Sequence, residues 1–215
     1  MIQNTEMNDR VIQLDHPLVH HHMGIIREQT TSACQFRHSA RQLTQLLAIR
    51  ATADLAVEEV TVTTPLETCA ARRIAGRVGL VPILRAGIVM VEPLLELIPE
   101  AEVWHLGVYR NEQDARPVSY YNKLAGGKPV DTAIVLDPML ATGGSAVMTC
   151  NNLQRWGVGQ IRMLSVIAAP EGIANLTAAC PDLTVYTCMI DRGLNELNYI
   201  VPGLGDAGDR VFNTL

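Results

Sequence analysis

From Arg77 onward, apolar runs of strand length alternate with segments of helical period, and this alternation admits few folds. Val78–Leu84 reads as a strand, and Ile88–Ile98 reads as a helix stopped near Pro99. Val103–Tyr109 and Thr132–Leu136 read as strands, and Gly144–Trp156 as a helix closed by Gly157. A strand over Ile161–Ala168, a helix over Glu171–Ala179 and a strand over Leu183–Ile190 complete the series. Buried strands joined through helices pair side by side in parallel, with the helices laid on the sheet faces. The pattern therefore predicts an α/β domain built on a largely parallel, twisted sheet flanked by helices. Upstream, a hydroxyl cap at Thr31 or Ser32 opens a helix to about Asp54, with Leu43, Leu46, Leu47 and Leu55 as its apolar stripe. The single domain 1–215 divides into an N-terminal helical region (1–76) and an α/β core (77–191).

Two pieces stand outside the alternation. Residues 110–127 are polar, with Arg110, Arg116 and Lys123 among turn residues and Lys128 just beyond, and they read as an exposed hairpin or mobile loop, a flap. Residues 192–209 are rich in Gly, Asn and Asp and have no period, yet Ile200, Val201, Pro202 and Leu204 can anchor them. They read as a small irregular cover over a site. Hydrophobic residues make up 48% of the chain and charged ones 18%, which describes a filled core and excludes disorder. A net charge of −5 argues against a surface that coats nucleic acid, so any anion site must be locally basic on an acidic body. No apolar run approaches the ~20 residues of a spanning helix, and Met1-Ile-Gln-Asn-Thr-Glu6 lacks a secretory pattern. The five cysteines form no CxxC, which suits reduced thiols. A soluble, cytoplasmic protein without membrane or nucleic-acid partners is expected.

The densest chemical signal is Ala133-Ile-Val-Leu-Asp-Pro-Met-Leu-Ala-Thr-Gly-Gly-Ser145. A β-branched run ends in Asp137, and a short loop closes on Thr142, Gly143, Gly144 and Ser145 before a helical segment starts. Glycines admit an anion close to the backbone, and the free N–H groups of a first helical turn point at it. The hydroxyls of Thr142 and Ser145 add donors, while the carboxylate of Asp137 suits sugar hydroxyls. The lysine and spacing of a Walker loop are absent. A phosphorylated sugar fits this arrangement. Arg85, at the end of an apolar strand, is followed by Ala86-Gly87 opening the next helix, so charge and N–H groups converge where open α/β sheets bind ligands. Arg110, directly after Val103–Tyr109, is expected to reach the same edge and clamp the same anion.

Asp137-Pro-Met-Leu-Ala-Thr-Gly-Gly-Ser145 resembles the 5-phosphoribosyl 1-diphosphate (PRPP) loop of the uracil branch of the type I phosphoribosyltransferases. Val81-Pro-Ile-Leu-Arg-Ala-Gly87, Ala168-Ala-Pro-Glu-Gly172 and Tyr199-Ile-Val-Pro-Gly-Leu-Gly-Asp-Ala-Gly-Asp209 resemble the same family, in its order and spacing. The resemblance runs from about His16 to the C-terminus. It implies transfer of 5-phosphoribose from PRPP to uracil, giving UMP and diphosphate, on the type I fold with 192–209 as its hood. PRPP would be held by Arg85, Arg110, Asp137, Pro138, Met139, Leu140, Ala141, Thr142, Gly143, Gly144, Ser145 and Asp206. Uracil would be held by Ile200, Gly205, Asp206 and Ala207, with Asp206 and Arg110 as the catalytic residues. Many phosphoribosyltransferases carry two adjacent acids where this chain has Asp137-Pro138, so Mg²⁺ is expected to arrive on PRPP and not in a protein cage. The family also implies a homo-oligomer, dimer or tetramer, and a possible GTP effector.

Other patterns invite blander readings. Gly203-Leu-Gly-Asp-Ala-Gly208 is a literal GxGxxG, but Pro202 precedes it and no acid can follow about 20 residues later. His16, His20, His21 and His22 invite a metal, but Pro17 argues against a helix through them and no supporting ligand pattern appears. A solvated basic segment is the simpler account. Glu58–Glu59 and the acids between Glu92 and Glu102 read as solvated or capping groups. The main rival function is an RNA-binding regulator of pyrimidine genes on the same scaffold. It requires a basic face, which the charge balance opposes.

Overall fold

The computed structural model describes residues 3–8, 10–110, 117–122 and 127–214. In chain order, β1 (Gln3–Asn8) and β2 (Val11–Asp15) precede α1 (Pro17–Arg27) and α2 (Ala33–Ala51), and β3 (Val57–Thr63) and β4 (Thr68–Ile74) follow. Next come β5 (Val78–Pro82), a 3₁₀ turn at Ala86–Met90, α3 (Val91–Leu97), β6 (Glu102–Val103), β7 (Leu106–Arg110) and β8 (Pro117–Asn122). The remainder is β9 (Thr132–Leu136), β10 (Met139–Leu140), α4 (Gly144–Trp156), β11 (Gln160–Ala168), α5 (Pro170–Ala179), β12 (Thr184–Ile190), β13 (Gly193–Leu194), β14 (Ile200–Val201) and α6 (Ala207–Phe212).

The main sheet runs β1-β2-β12-β11-β9-β5-β6, with β10 paired on β11. Among the described residues of this sheet, the β1–β2 pair alone is antiparallel. Every residue of β5 and β9 is buried, as strands covered on both faces must be. Along β9, Ile134 and Leu136 join one core with residues of α1, α2, α3 and α6, while Ala133 and Val135 join the other with residues of α4 and α5. Period-2 alternation thus divides one strand between two cores. Arg162 of β11 is 1% exposed and is matched by the carbonyl of Ala51 at the end of α2, by Gln160 at 2.8 Å and by Asp54 at 2.8 Å.

Several expectations need correction. The stretch 1–76 is not all helical: it holds the β1–β2 hairpin, which extends the main sheet beside β12, and a separate β3–β4 hairpin. Pro17 does not break a helix through the histidines but starts one, since the first helical position needs no N–H and His16 caps it by accepting from Leu18 N at 3.1 Å. Val103–Tyr109 is not one strand. Glu102–Val103 ends the sheet as β6, and Leu106–Arg110 belongs to the β7–β8 hairpin, which is a sheet of its own. The helix expected over Ile88–Ile98 begins as a 3₁₀ turn and becomes α-helical at Val91. The tail contains a short hairpin, β13–β14, and ends in α6.

Candidate functional site

The parallel strands finish along one edge of the sheet, and three of them deliver parts of one cleft. β5 leads into Ile83-Leu84-Arg85, β9 into Asp137 and its loop, and β12 into Asp191 and the tail. The cleft has a volume of ≈ 420 Å³. Arg85 and Ala86 line it from the first segment, and Asp137, Met139, Ala141 and Ser145 from the second. Leu197, Asn198, Tyr199 and Gly205 through Gly208 line it from the third.

The loop after β9 is held open by its own geometry. Asp137 Oδ1 accepts from Met139 N at 3.2 Å, turning the chain immediately after the strand. Gly143 is the N-cap of α4 at φ 79°, a left-handed conformation that costs an L side chain roughly 1–2 kcal/mol. Gly143 has no side chain with which to cap the first turn of α4, and the Thr142 hydroxyl beside it accepts from Gly144 N at 3.5 Å. The N-terminus of a 13-residue helix therefore opens beside Ser145 with the polarity that attracts an anion. A Cβ on Gly172 would lie 2.2 Å from the Ala141 carbonyl oxygen, so α5 packs against the loop at a distance only glycine permits.

Arg85 Nη2 donates to Asp209 Oδ1 at 3.0 Å, which turns the guanidinium toward the start of α6. The Thr214 hydroxyl and then Arg85 hold the Asp209 carboxyl below the usual carboxylate range. Asp206 is the N-cap of α6, its Oδ1 accepting from Asp209 N at 2.9 Å, and it faces the cleft from there. Two carboxylates, Asp137 and Asp206, thus line a cleft that also carries Arg85.

Not every expected residue lines this cleft. Pro138 accepts through its carbonyl from Val166 N and Ile167 N, and Leu140 is 1% exposed, so both serve as the loop's footing. Thr142 and Gly144 stand in the loop beside the cleft lining, with Asn175 Nδ2 donating to the Thr142 carbonyl at 2.9 Å and Gly144 opening α4. Ile200 of β14 turns its side chain into the core and offers the cleft none. Arg110 closes β7 and pairs with Pro117 across the hairpin, so it does not continue the main sheet's edge as expected. The side chain of Arg110, with Arg116 and Lys123, lies outside the described residues.

The histidines are a structural group. His20 meets Asp15 at 2.7 Å, and His22 meets Ser39 at 3.3 Å beside His21 and His38. Burial, then His21 and His38, lower the pKa of His22 and favour its neutral form. Among the described residues no group of three or more His, Cys, Asp or Glu could hold a metal.

Sequence reasoning missed what fixes the hood. Arg27 of α1 grips Asp191, with Nη2 to Oδ1 at 2.5 Å and Nη1 to Oδ2 at 3.1 Å, and donates to the Gly203 carbonyl at 3.0 Å. Gly203 N returns to Asp191 at 2.9 Å. Arg210 donates to the carbonyls of Ile26, Leu204 and Glu28 and lies over the Phe36 ring. A strand ending in an acid was visible for Asp191, but its partner lies 164 residues away.

The family model described as uracil phosphoribosyltransferase matches residues 13–214. A protein named uracil phosphoribosyltransferase from Roseiflexus sp. (strain RS-1) is 52% identical over 205 residues, covering 95% of this chain and 99% of that protein. One of the same name from Caldanaerobacter subterraneus subsp. tengcongensis is 45% identical over 209 residues, covering 97% and 100%. The solved AQ2163 protein of Aquifex aeolicus superposes with a TM-score of 0.89 at 33% identity, covering 94% of this chain and 97% of that one. An adenine phosphoribosyl transferase from Trypanosoma brucei superposes at 0.62 with 9% identity, covering 95% and 91%, a likeness of fold alone.

Proposed function

Because this chain belongs to the uracil phosphoribosyltransferase family, we propose that its cleft transfers 5-phosphoribose from PRPP to uracil, giving UMP and diphosphate. The observation that carries this reading is the meeting of the Asp137–Ser145 loop, Arg85 and the hood on one cleft, in a chain matched by the family over residues 13–214.

In this reading the 5-phosphate sits at the start of α4, taking hydrogen bonds from the N–H groups of Gly143, Gly144 and Ser145 and the hydroxyls of Thr142 and Ser145. Asp137 accepts from the ribose hydroxyls. Arg85 stabilises the diphosphate, and Arg110 on the hairpin joins it. Breaking the bond at the anomeric carbon puts positive charge on the ribose and negative charge on the leaving diphosphate. Positioning and preorganised charge therefore supply most of the catalysis. Asp206, between the ribose and base halves, is the acid nearest the bond being formed.

The donor set fits magnesium only in company. Asp137 and Asp206 each give one oxygen to a backbone N–H, and no described cluster of three ligands exists. Mg²⁺ bound to the PRPP phosphates, with Asp206 or Asp137 meeting its waters, would neutralise charge on the diphosphate.

Uracil presents an acceptor, a donor and an acceptor through O2, N3–H and O4. Within Ile200–Ala207, the backbone of Gly205, Asp206 and Ala207 lines the cleft and can answer that edge with N–H and C=O groups, while the Ile200 side chain is buried. Cytosine would leave groups unpaired, a mismatch that discriminates on the order of 10⁴-fold in hydrogen-bonding sites. A cytoplasmic homo-oligomer with a GTP effector completes the proposal on family resemblance.

The test is a base panel with radiolabelled PRPP and Mg²⁺. Uracil should give UMP and diphosphate, with cytosine and purines far behind. Absence of UMP, or faster use of hypoxanthine or guanine, would overturn the assignment.

A further inference from the structure

The stretch Ala168-Ala-Pro-Glu-Gly172 stands out in the sequence, yet it contributes no residue to the cleft. It joins β11 to α5, and its hydrogen bonds run to both halves of the site. Toward the sugar-phosphate loop, Ala169 N donates to the Leu140 carbonyl at 2.9 Å, Gly172 packs on Ala141, and Asn175 holds the Thr142 carbonyl. Toward the hood, the Ala168 carbonyl accepts from Asp191 N at 2.9 Å, and Glu171 Oε1 accepts from Leu194 N at 3.1 Å.

The Glu171 contact is placed to matter. Leu194 ends β13, and the chain turns through Asn195–Tyr199 before returning as β14. Leu197, Asn198 and Tyr199 of that turn line the cleft. Asn195 shapes the turn, its Oδ1 accepting from Leu197 N and Tyr199 N. The turn is therefore stiff internally, and its position depends on what holds β13. Within the hairpin, Arg192 N bonds Val201 and Asn195 N bonds Tyr199, while the N–H of Leu194 points away to α5. The Glu171 carboxylate also lies over Gly193, where an added Cβ would meet it at 2.9 Å. An ionised acceptor on a backbone N–H is among the stronger single hydrogen bonds.

We propose that Glu171 is a positioning residue for base recognition, setting the β13–β14 turn against the cleft, while Gly172 and Asn175 of the same helix set the phosphoribose loop. The first two turns of α5 are thereby a bracket that fixes the distance between the two substrates' sites. This inference rests on the proposed uracil and PRPP sites.

Two variants test it, read by steady-state kinetics for uracil and by calorimetry for PRPP without uracil. Glu171→Ala should raise KM for uracil about tenfold, the loss of one charge-assisted hydrogen bond. It should leave PRPP affinity within about twofold, since the loop contacts remain. Glu171→Gln, which keeps an oxygen acceptor, should recover most of that loss. Asn175→Ala should do the opposite, weakening PRPP binding while sparing KM for uracil measured at saturating PRPP. A merely structural role would shift both substrates together in Glu171→Ala and would not be rescued by glutamine, and that result would overturn the proposal. A normal KM for uracil in Glu171→Ala would also overturn it. Wild-type protein that makes no UMP refutes the proposed activity instead, so the two failures are distinct.

Discussion

Replacing Gly143 by alanine isolates the geometry of the phosphate loop with one methyl group. Gly143 stands at φ 79° and ψ −6°, and an L residue there costs roughly 1–2 kcal/mol. The new Cβ would also sit 2.8 Å from the Gly172 carbonyl oxygen. That oxygen is backbone at the start of α5, a helix anchored by Ala169 and Asn175 to the same loop, so it cannot simply swing away. In the free protein the loop will relieve the strain by moving. PRPP binding must restore the original path, and the strain then appears as lost affinity. About 1.5 kcal/mol corresponds to roughly a tenfold weaker Kd, read by calorimetric titration of PRPP. Tm should fall by no more than about 4 °C, because the relaxed loop spares the core. A Gly143→Ala protein that binds PRPP within twofold of wild type would refute the claim that this backbone cradles the anion.

Arg85→Ala should lower the rate by about a hundredfold, close to the loss of one preorganised donor, whereas Arg155→Ala, in the last turn of α4, should change little. Equal effects in the two would mean that the diphosphate site is misplaced. Gly205→Pro should damage uracil use far more than PRPP binding, because proline fixes φ near −65° where the chain stands at 79°. Leu204→Met, a buried swap of similar volume, should keep the preference for uracil over cytosine. An equal loss of both substrates in Gly205→Pro would make the tail a general cover and not the base reader. Asp209 has a lowered pKa, so its contribution to stability is present above the unfolded value near ~3.9 and is lost as pH falls through the folded one. The Tm difference between wild type and Asp209→Asn should therefore close as pH drops below about 4, and a gap unchanged at pH ~2 would contradict that origin.

The core strands were legible because burial on both faces writes an unbroken apolar run, as in Thr132–Leu136. The turn into α4 after it was legible because Gly143 and Gly144 are the residue type that a left-handed N-cap at a strand-to-helix turn favours. Elsewhere the local pattern was blind to partners. Val103–Tyr109 shows no mark of where the chain leaves the main sheet, because an apolar alternation suits β6 and the separate β7–β8 hairpin equally. The β3–β4 hairpin escaped notice because Val57–Thr63 is mostly exposed and carries acids where a core strand would be apolar. Pro17 was ambiguous, since one residue both breaks a helix interior and favours a helix start. The Arg27–Asp191 grip on the hood and the bond from Glu171 to Leu194 depend on tertiary neighbours that no window of sequence contains.

The central claim is that one cleft reads a base through the hood's backbone while the α4 start holds the 5-phosphate. A crystal structure with UMP bound tests it most directly. The pyrimidine edge should hydrogen-bond main-chain groups between Ile200 and Ala207, with the phosphate on the N–H groups and hydroxyls of Thr142–Ser145 and the ribose hydroxyls on Asp137. UMP bound with its base away from the hood, or its phosphate away from the α4 start, would contradict the account.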